Sequence, residues 1–200
     1  MYPLFETIQI LNGKAQNLAW HQDRMDRSHQ VLFHSRNKRK LNEIVLVPDE
    51  FRQGTVKCRF MYNQSSYALE FSAYEPRKIR SLKLVKGDHL EYSLKYTDRS
   101  DIHKLLETKE ECDDILIMKH GLISDTSYTN VVFYDGKKWV SPAKPLLEGT
   151  CRNRLLAEKK IITGDITPGD LENYSYFRLI NSMLLFEQQE NLAMDSIILQ

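Results

Sequence analysis

Two hundred residues suit one large domain or two small ones, and a chain of that size buries about two-thirds of its surface on folding. With 28 basic and 27 acidic residues the net charge is +1, which gives no broad electrostatic reason to bind nucleic acid or an anionic membrane. The one basic run, Arg36-Asn37-Lys38-Arg39-Lys40, reads as a solvated helix end or loop. No apolar stretch is long enough to span a bilayer, and the opening residues lack the basic-then-apolar pattern of a secretory signal. Cys58, Cys112 and Cys151 are odd in number and far apart, so they form neither a disulfide framework nor a zinc pattern. That usage fits a reducing cytosol, and no metal site is expected.

In chain order, Leu4 to Ile10 reads as a strand, and Asn12-Gly13 is a hairpin turn into a second, short strand. Residues 21–33 place Met25, Val31, Leu32 and Phe33 among polar residues, which predicts an amphipathic helix. Pro48-Asp49-Glu50 reads as a further helix start. Residues 55–62 and 67–74 alternate as two strands around Asn63-Gln64-Ser65-Ser66. The segment 75–80, with Pro76 and three basic residues, is the best candidate for an interdomain connection. Beyond it come strands at 82–85 and 90–96, a helix near 102–108 and an apolar strand at 115–118. Gly121 precedes a strand at 131–134, and Asp135-Gly136 turns into Trp139-Val140. Gly149 precedes a helix from about Cys151 to Lys160, and a last strand covers 176–181. The pattern is α+β.

Periodicity alone leaves such a chain without a role. Five segments give it one: Phe5-Glu6-Thr7-Ile8; His21-x-x-Arg24; Lys95-x-x-x-Arg99; Asp125-Thr-Ser-Tyr-Thr-Asn130; and Leu147-Glu-Gly149-Thr150-Cys151-Arg152. In this order they resemble the fold-type IV pyridoxal-phosphate enzymes, which include branched-chain and D-amino-acid aminotransferases and 4-amino-4-deoxychorismate lyase. Nearly the whole chain is covered. The resemblance implies a compact, mixed α/β version of the two-domain fold of the D-amino-acid aminotransferases. Residues 1–78 would form a small α+β domain, and residues 79–200 a larger, barrel-like α/β domain carrying the cofactor lysine. It also implies a homodimer with its site near the subunit interface.

The cofactor implied is pyridoxal 5'-phosphate, which needs an amine to form a Schiff base. By resemblance that amine is Lys95, which also shuttles the proton. Thr7 lies beside the cofactor and assists catalysis. Protonation of the pyridine nitrogen is favoured by a facing carboxylate, here Asp125, where the family normally carries glutamate; Asn130 closes the same motif. The phosphate calls for a guanidinium and for amides at a helix start. Arg24 matches the family's phosphate arginine, and Gly149-Thr150-Cys151 its Gly-Ile-Thr turn. Ser182 is a further hydroxyl for the cofactor, while Arg99 and Asn181 are candidate substrate contacts.

Two details lean toward the lyase. Lys95-Tyr96-Thr97-Asp98-Arg99 resembles the lyase's Lys-x-x-Asn-Arg, and Ile180-Asn181-Ser182-Met183 resembles its Cys-Asn-Ala-Leu. The implied reaction converts 4-amino-4-deoxychorismate to 4-aminobenzoate, a folate precursor, and pyruvate. The alternatives are a branched-chain or D-amino-acid aminotransferase and a cofactor-binding homologue without catalysis.

Overall fold

A computed structural model describes residues 2–184 and 186–199. The chain divides into two units, Met1–Pro76 with Leu94–Asp98, and Arg77–Ser93 with Arg99–Gln200. The first boundary between them lies at Pro76/Arg77. The segment carrying Lys95, expected in the C-terminal domain, packs with the N-terminal unit instead.

In the first unit, β1 (Leu4–Leu11) and β2 (Lys14–Ala15) form the predicted hairpin. Asn12 and Gly13 both take positive φ, +48° and +77°, as a two-residue turn between right-twisted strands requires. The sheet continues through β3 (Thr55–Tyr62) and β4 (Tyr67–Ala73) in the order β2-β1-β3-β4. In β3, buried Val56, Cys58, Phe60 and Tyr62 alternate with half-exposed residues, which gives one dry face. Against it lies α1 (Leu18–Phe33), whose buried residues His21, Arg24, Met25, Ser28 and His29 follow the three-and-four spacing of a single helical face. The helix ends at His34, whose left-handed backbone returns its N–H to the Gln30 carbonyl. A second helix, α2, is one turn long (Leu41–Ile44). The helix expected at Pro48 is only a 3-10 turn, Asp49–Phe51, which leads straight into β3. The predicted strand at 90–96 is absent. Only Tyr96 bridges Leu4, and the segment is tied to β1 by Phe5 N–H to the Lys95 carbonyl (3.1 Å) and Thr97 N–H to the Pro3 carbonyl (2.8 Å). Those bonds move Leu94–Asp98 into the first unit, where Leu94 and Tyr96 pack on its core.

In the second unit, β5 (Leu82–Lys86) runs parallel to β6 (Asp114–Lys119), and α3 (Ser100–Leu106) lies between them in sequence. A turn at His120-Gly121, again with two positive φ values, reverses the chain into β7 (Leu122–Thr126). No local pattern in the sequence predicts this strand. Next come β8 (Asn130–Tyr134), β9 (Trp139–Pro142), α4 (Thr150–Ala157) and β10 (Ile161–Gly164), which pairs parallel to β9. The chain closes with β11 (Tyr176–Ile180), β12 (Leu192–Ala193) and β13 (Ile197–Ile198). Two sheets result, ordered β13-β5-β6-β7 and β10-β9-β8-β11-β12. Leu82, Leu116 and Ile123 from the first share one core with Val131, Phe133, Val140, Phe177 and Leu179 from the second. Burying each such side chain stabilises by about 1.5–3 kcal/mol, so this core fixes where the strand ends lie. Among the described residues, no helix is long and apolar enough to cross a membrane.

Candidate active site

The candidate residues fall into two groups, one in each unit. In the first, β1 sends alternate side chains to opposite faces. Glu6 faces α1, where His21 and Arg24, one helical turn apart, receive it. The Glu6 carboxylate accepts from Arg24 Nε (2.9 Å) and Nη2 (2.5 Å) and from His21 Nδ1 (2.6 Å), and it has no exposed surface. Burial alone would raise its pKa. The Arg24 charge and the bonds from His21 and Arg24 outweigh that and hold the carboxyl at about 2. Burial lowers the pKa of His21 despite its carboxylate partner, so the ring is neutral and donates through Nδ1.

Phe5 and Thr7 lie on the opposite strand face. The Lys95 ammonium sits 4.7 Å from the centre of the Phe5 ring, and the Arg59 guanidinium sits 4.8 Å from the same ring. Arg59 stands directly across the sheet from Thr7. Its Nε is buried without a hydrogen-bond partner among the described residues. Lys95, Thr7 and Arg59 therefore share one sheet face, while Arg24 is anchored through Glu6 on the other.

In the second unit, Asp125 lies on β7 rather than in a loop, and Asn130 opens β8. The residues between them make a tight turn. Thr126 N–H donates to the Thr129 carbonyl (2.9 Å), and the two threonine hydroxyls lie 2.7 Å apart. This returns Asn130 to Asp125, and Asn130 Nδ2 donates to Asp125 Oδ1 (2.8 Å) and to the Leu147 carbonyl (2.9 Å). The Leu147 N–H donates to Asp125 Oδ2 (2.9 Å). Burial pushes the Asp125 pKa up to about 6, against the opposing pull of these donors and of Arg152.

Gly149 follows in the same segment. A Cβ there would come within 2.0 Å of Asn130 Oδ1, so only glycine lets the chain pass Asn130 and start α4 at Thr150. Thr150 is buried at the first helical position. The Cys151 side chain turns into an apolar cluster with Val132, Leu155, Ile161, Ile180 and Phe186, and burial raises its thiol pKa to about 11. Only its backbone amide is therefore suited to meeting an anion. Ile180 on β11 pairs with Asn130, which brings Asn181 and Ser182 to the end of the sheet where β8 begins. Asn181 Oδ1 accepts from the Met183 N–H (2.8 Å). Arg99 donates through Nη2 to the Ser127 carbonyl, so this guanidinium braces the turn after Asp125.

Glu6 and Arg152 stand in the quoted motifs without a role that the motifs assign, and Arg59 lies outside them. Its place in the sequence is plain. The alternation of 55–62 puts it off the core face beside Lys57, but a cation there is also the ordinary solvent-facing pattern, so the sequence does not single it out.

A model of the class IV amino-transferase family matches residues 3–186. A protein of Haemophilus influenzae, itself described as uncharacterized, is 38% identical over 185 residues, spanning 92% of this chain and 98% of that one. The crystal structure of a Haemophilus somnus protein, provisionally named a 4-amino-4-deoxychorismate lyase, superposes with a TM-score of 0.85 at 39% identity and covers 92% and 97% of the two chains. The pyridoxal-phosphate-bound form of a hypothetical aminotransferase from Mycobacterium tuberculosis shares the fold, with a TM-score of 0.78 at 17% identity over 96% and 80% of the chains.

Proposed function

The chain belongs to the class IV aminotransferase family of fold-type IV, pyridoxal-phosphate-dependent enzymes, and from that premise we propose that it is a lyase releasing 4-aminobenzoate and pyruvate from 4-amino-4-deoxychorismate. The observation that carries this reading is the likeness, along nearly the full length of both chains, to the Haemophilus somnus protein with that provisional name.

The residues present fit the cofactor in kind. They include a lysine held at its backbone by β1, a buried carboxyl poised near neutrality, and a helix start packed so closely on Asn130 that its glycine admits no side chain. Bound there, the cofactor supplies an electron sink for the carbon beside the substrate amine. Lys95 provides the amine that holds the cofactor, and it then moves the proton from the amine-bearing carbon. Asp125 supplies the negative charge that keeps the ring nitrogen protonated, with Asn130 fixing its rotamer. The backbone amides of Thr150 and Cys151 at the start of α4, with the Ser182 hydroxyl, take the phosphate, while Arg24, matched to the phosphate by its motif, holds Glu6 on the opposite sheet face. Thr7, across the sheet from Arg59, orients the substrate. Arg59, Arg99 and Asn181 receive the carboxylates of a doubly acidic substrate, for which a guanidinium is the natural partner. Aromatisation favours product, so alignment and charge placement are the protein's main contributions. A cytoplasmic homodimer in folate-precursor synthesis completes the reading.

A second reading is amino transfer to an oxo acid. Arg99 is one of the two details that favour the lyase, and it uses a nitrogen on the Ser127 carbonyl, as a purely structural arginine would. One assay separates the two. Cofactor-loaded protein given 4-amino-4-deoxychorismate without an acceptor should release 4-aminobenzoate and pyruvate in equal amounts. Turnover only when 2-oxoglutarate or pyruvate is added would replace the lyase by the transferase. Borohydride should fix the cofactor on Lys95, detected by peptide mapping, and Lys95→Ala should lower turnover by about 10^3-fold or more. Trapping at another lysine would sink the assignment.

A further inference from the structure

Residues 143–149, between β9 and α4, carry no regular structure, so their own backbone does not set where the helix starts. That start matters because its amides are open. Gly149, the residue before α4, has no side chain to cap them, and the first intrahelical bond is Asn153 N–H to the Gly149 carbonyl (2.9 Å). The N–H groups of Thr150, Cys151 and Arg152 therefore have no acceptor within the helix. Cys151 and Leu155 pack α4 on Val132, Ile161, Ile180 and Phe186, but apolar contact has no direction and permits a helix to shift along its seat.

Arg152 supplies the direction. It is the third residue of α4 and only 5% exposed. Its side chain reaches back past the irregular segment to the end of β9, where Nε donates to Ser141 Oγ (2.9 Å) and Nη2 to the Pro142 carbonyl (3.0 Å). Ser141 has no exposed surface, and β9 lies inside its sheet, paired with β8 on one edge and β10 on the other. A planar guanidinium with two bonds to neighbouring residues of one strand fixes both a distance and an angle. Burying a cation among neutral acceptors costs more than burying an apolar side chain of the same volume. What the arginine adds is registry between helix and strand.

We infer that Arg152 is a positioning residue, clamping the first turn of α4 to β9 and so holding the Thr150 and Cys151 amides where one anionic group meets both. This positioning rests on the phosphate-holding role proposed above for that turn. Donors in such a site have to stay within about 0.5 Å of the productive geometry, a tolerance that sliding on an apolar cluster would not keep. Gly149 and Arg152 then share the task. The glycine lets the chain pass close to Asn130, and the arginine stops the helix that follows from moving off.

The test compares two ligands on apoprotein by calorimetry: pyridoxal 5'-phosphate, and pyridoxal, which has the same ring and aldehyde without the phosphate. Wild type should bind the phosphorylated ligand more tightly by about 100-fold or more, as two hydrogen bonds to a charged group would give. Arg152→Met keeps the packed stem and loses both bonds to β9. The preference should narrow there by about tenfold, with pyridoxal affinity unchanged. Ser141→Ala, the milder change, leaves the charge in place and removes one bond; it should narrow the preference in the same direction by about threefold. Equal weakening of both ligands in either variant would mark a general loss of structure and overturn the inference. So would a full preference in Ser141→Ala beside a lost one in Arg152→Met, since the charge and not the clamp would then draw the phosphate. Wild-type discrimination retained in both variants would defeat the clamp alone. A wild-type protein that binds both ligands equally would defeat the phosphate reading of α4, and the clamp with it.

Discussion

Glu6 and Asp125 are both buried carboxyls on strands, and they are held in opposite ways. Glu6 is clamped by a guanidinium and an imidazole, and its pKa is driven down to about 2. Asp125 is held by an amide side chain and a backbone N–H, and burial leaves its pKa at about 6. The first stays charged until pH falls to about 2, and its role is to fix the helix to the sheet. The second keeps its charge by a narrow margin, which suits the role proposed for it opposite a cationic ring nitrogen. Burial is common to both; the charge of the neighbours decides which is structural and which is poised.

The largest effect expected from this contrast is at Glu6. Glu6→Gln leaves Arg24 buried without its countercharge, and breaking a buried pair from one side costs about 3–5 kcal/mol. Denaturant unfolding at pH 7 should show that loss. The pH dependence carries a second signature. A carboxyl whose folded pKa lies below its usual 4.5 stabilises fully above that value, and the contribution disappears as pH falls toward about 2. Wild type should lose about 3 kcal/mol through this window, beyond what Glu6→Gln loses there. His21 acts in the same direction at higher pH, because its lowered pKa makes folding less favourable as pH falls through and below 6.5. Asp125 has the opposite sign. Its raised pKa removes stability as pH climbs from 3.8 to about 6. Equal acid stability of wild type and Glu6→Gln would erase the distinction between the two carboxyls.

A smaller effect is expected at Gly149. Alanine there puts a carbon 2.0 Å from Asn130 Oδ1, so Asn130 must swing away and release Asp125 and the Leu147 carbonyl. Overpacking of this kind costs about 1–3 kcal/mol. The Asp125 titration midpoint, read by carboxyl NMR, should also rise, since the Asn130 bond is one of the influences lowering it. Gly149→Ala with wild-type stability and an unmoved midpoint would mean that the turn does not hold Asp125.

Much of the first unit was legible because its signals are local. Asn12-Gly13 specifies its own turn, residues 55–62 alternate cleanly, and His21-x-x-Arg24 presents two side chains on one helical face. Glu6 was not legible as their partner, since that depends on where β1 meets α1. The reading at 90–96 failed because β-favouring residues there never acquire a ladder; two backbone bonds to β1 hold them. In the second unit, β7 was missed because Gly121 and Asp125 look like turn residues. The strand exists because Leu116, Met118 and Lys119 of β6 pair with it, which no local propensity encodes. Likewise β10 is a four-residue strand that depends on its parallel neighbour β9. The motif residues were visible as a set, but not that Arg99 reaches a backbone carbonyl or that Arg152 lacks an acid beside it.

The smallest effect is expected at Cys151, a third buried titratable group, which sharpens the contrast because burial outweighs the pull of its one cationic neighbour, Arg154. Its side chain is 7% exposed, and burial raises its pKa to about 11, so the reactive thiolate is scarce at neutral pH. Iodoacetamide at pH 8 should leave the folded protein unmodified at this position, as mass spectrometry would read directly. Cys151→Ala removes one sulfur from a packed cluster and should cost only about 1 kcal/mol. Cofactor affinity should stay at the wild-type value, because a phosphate would meet the Cys151 amide, which alanine retains. Rapid alkylation accompanied by loss of cofactor binding would instead put the thiol against the phosphate, and the start of α4 would then hold its anion by side chain as well as by backbone.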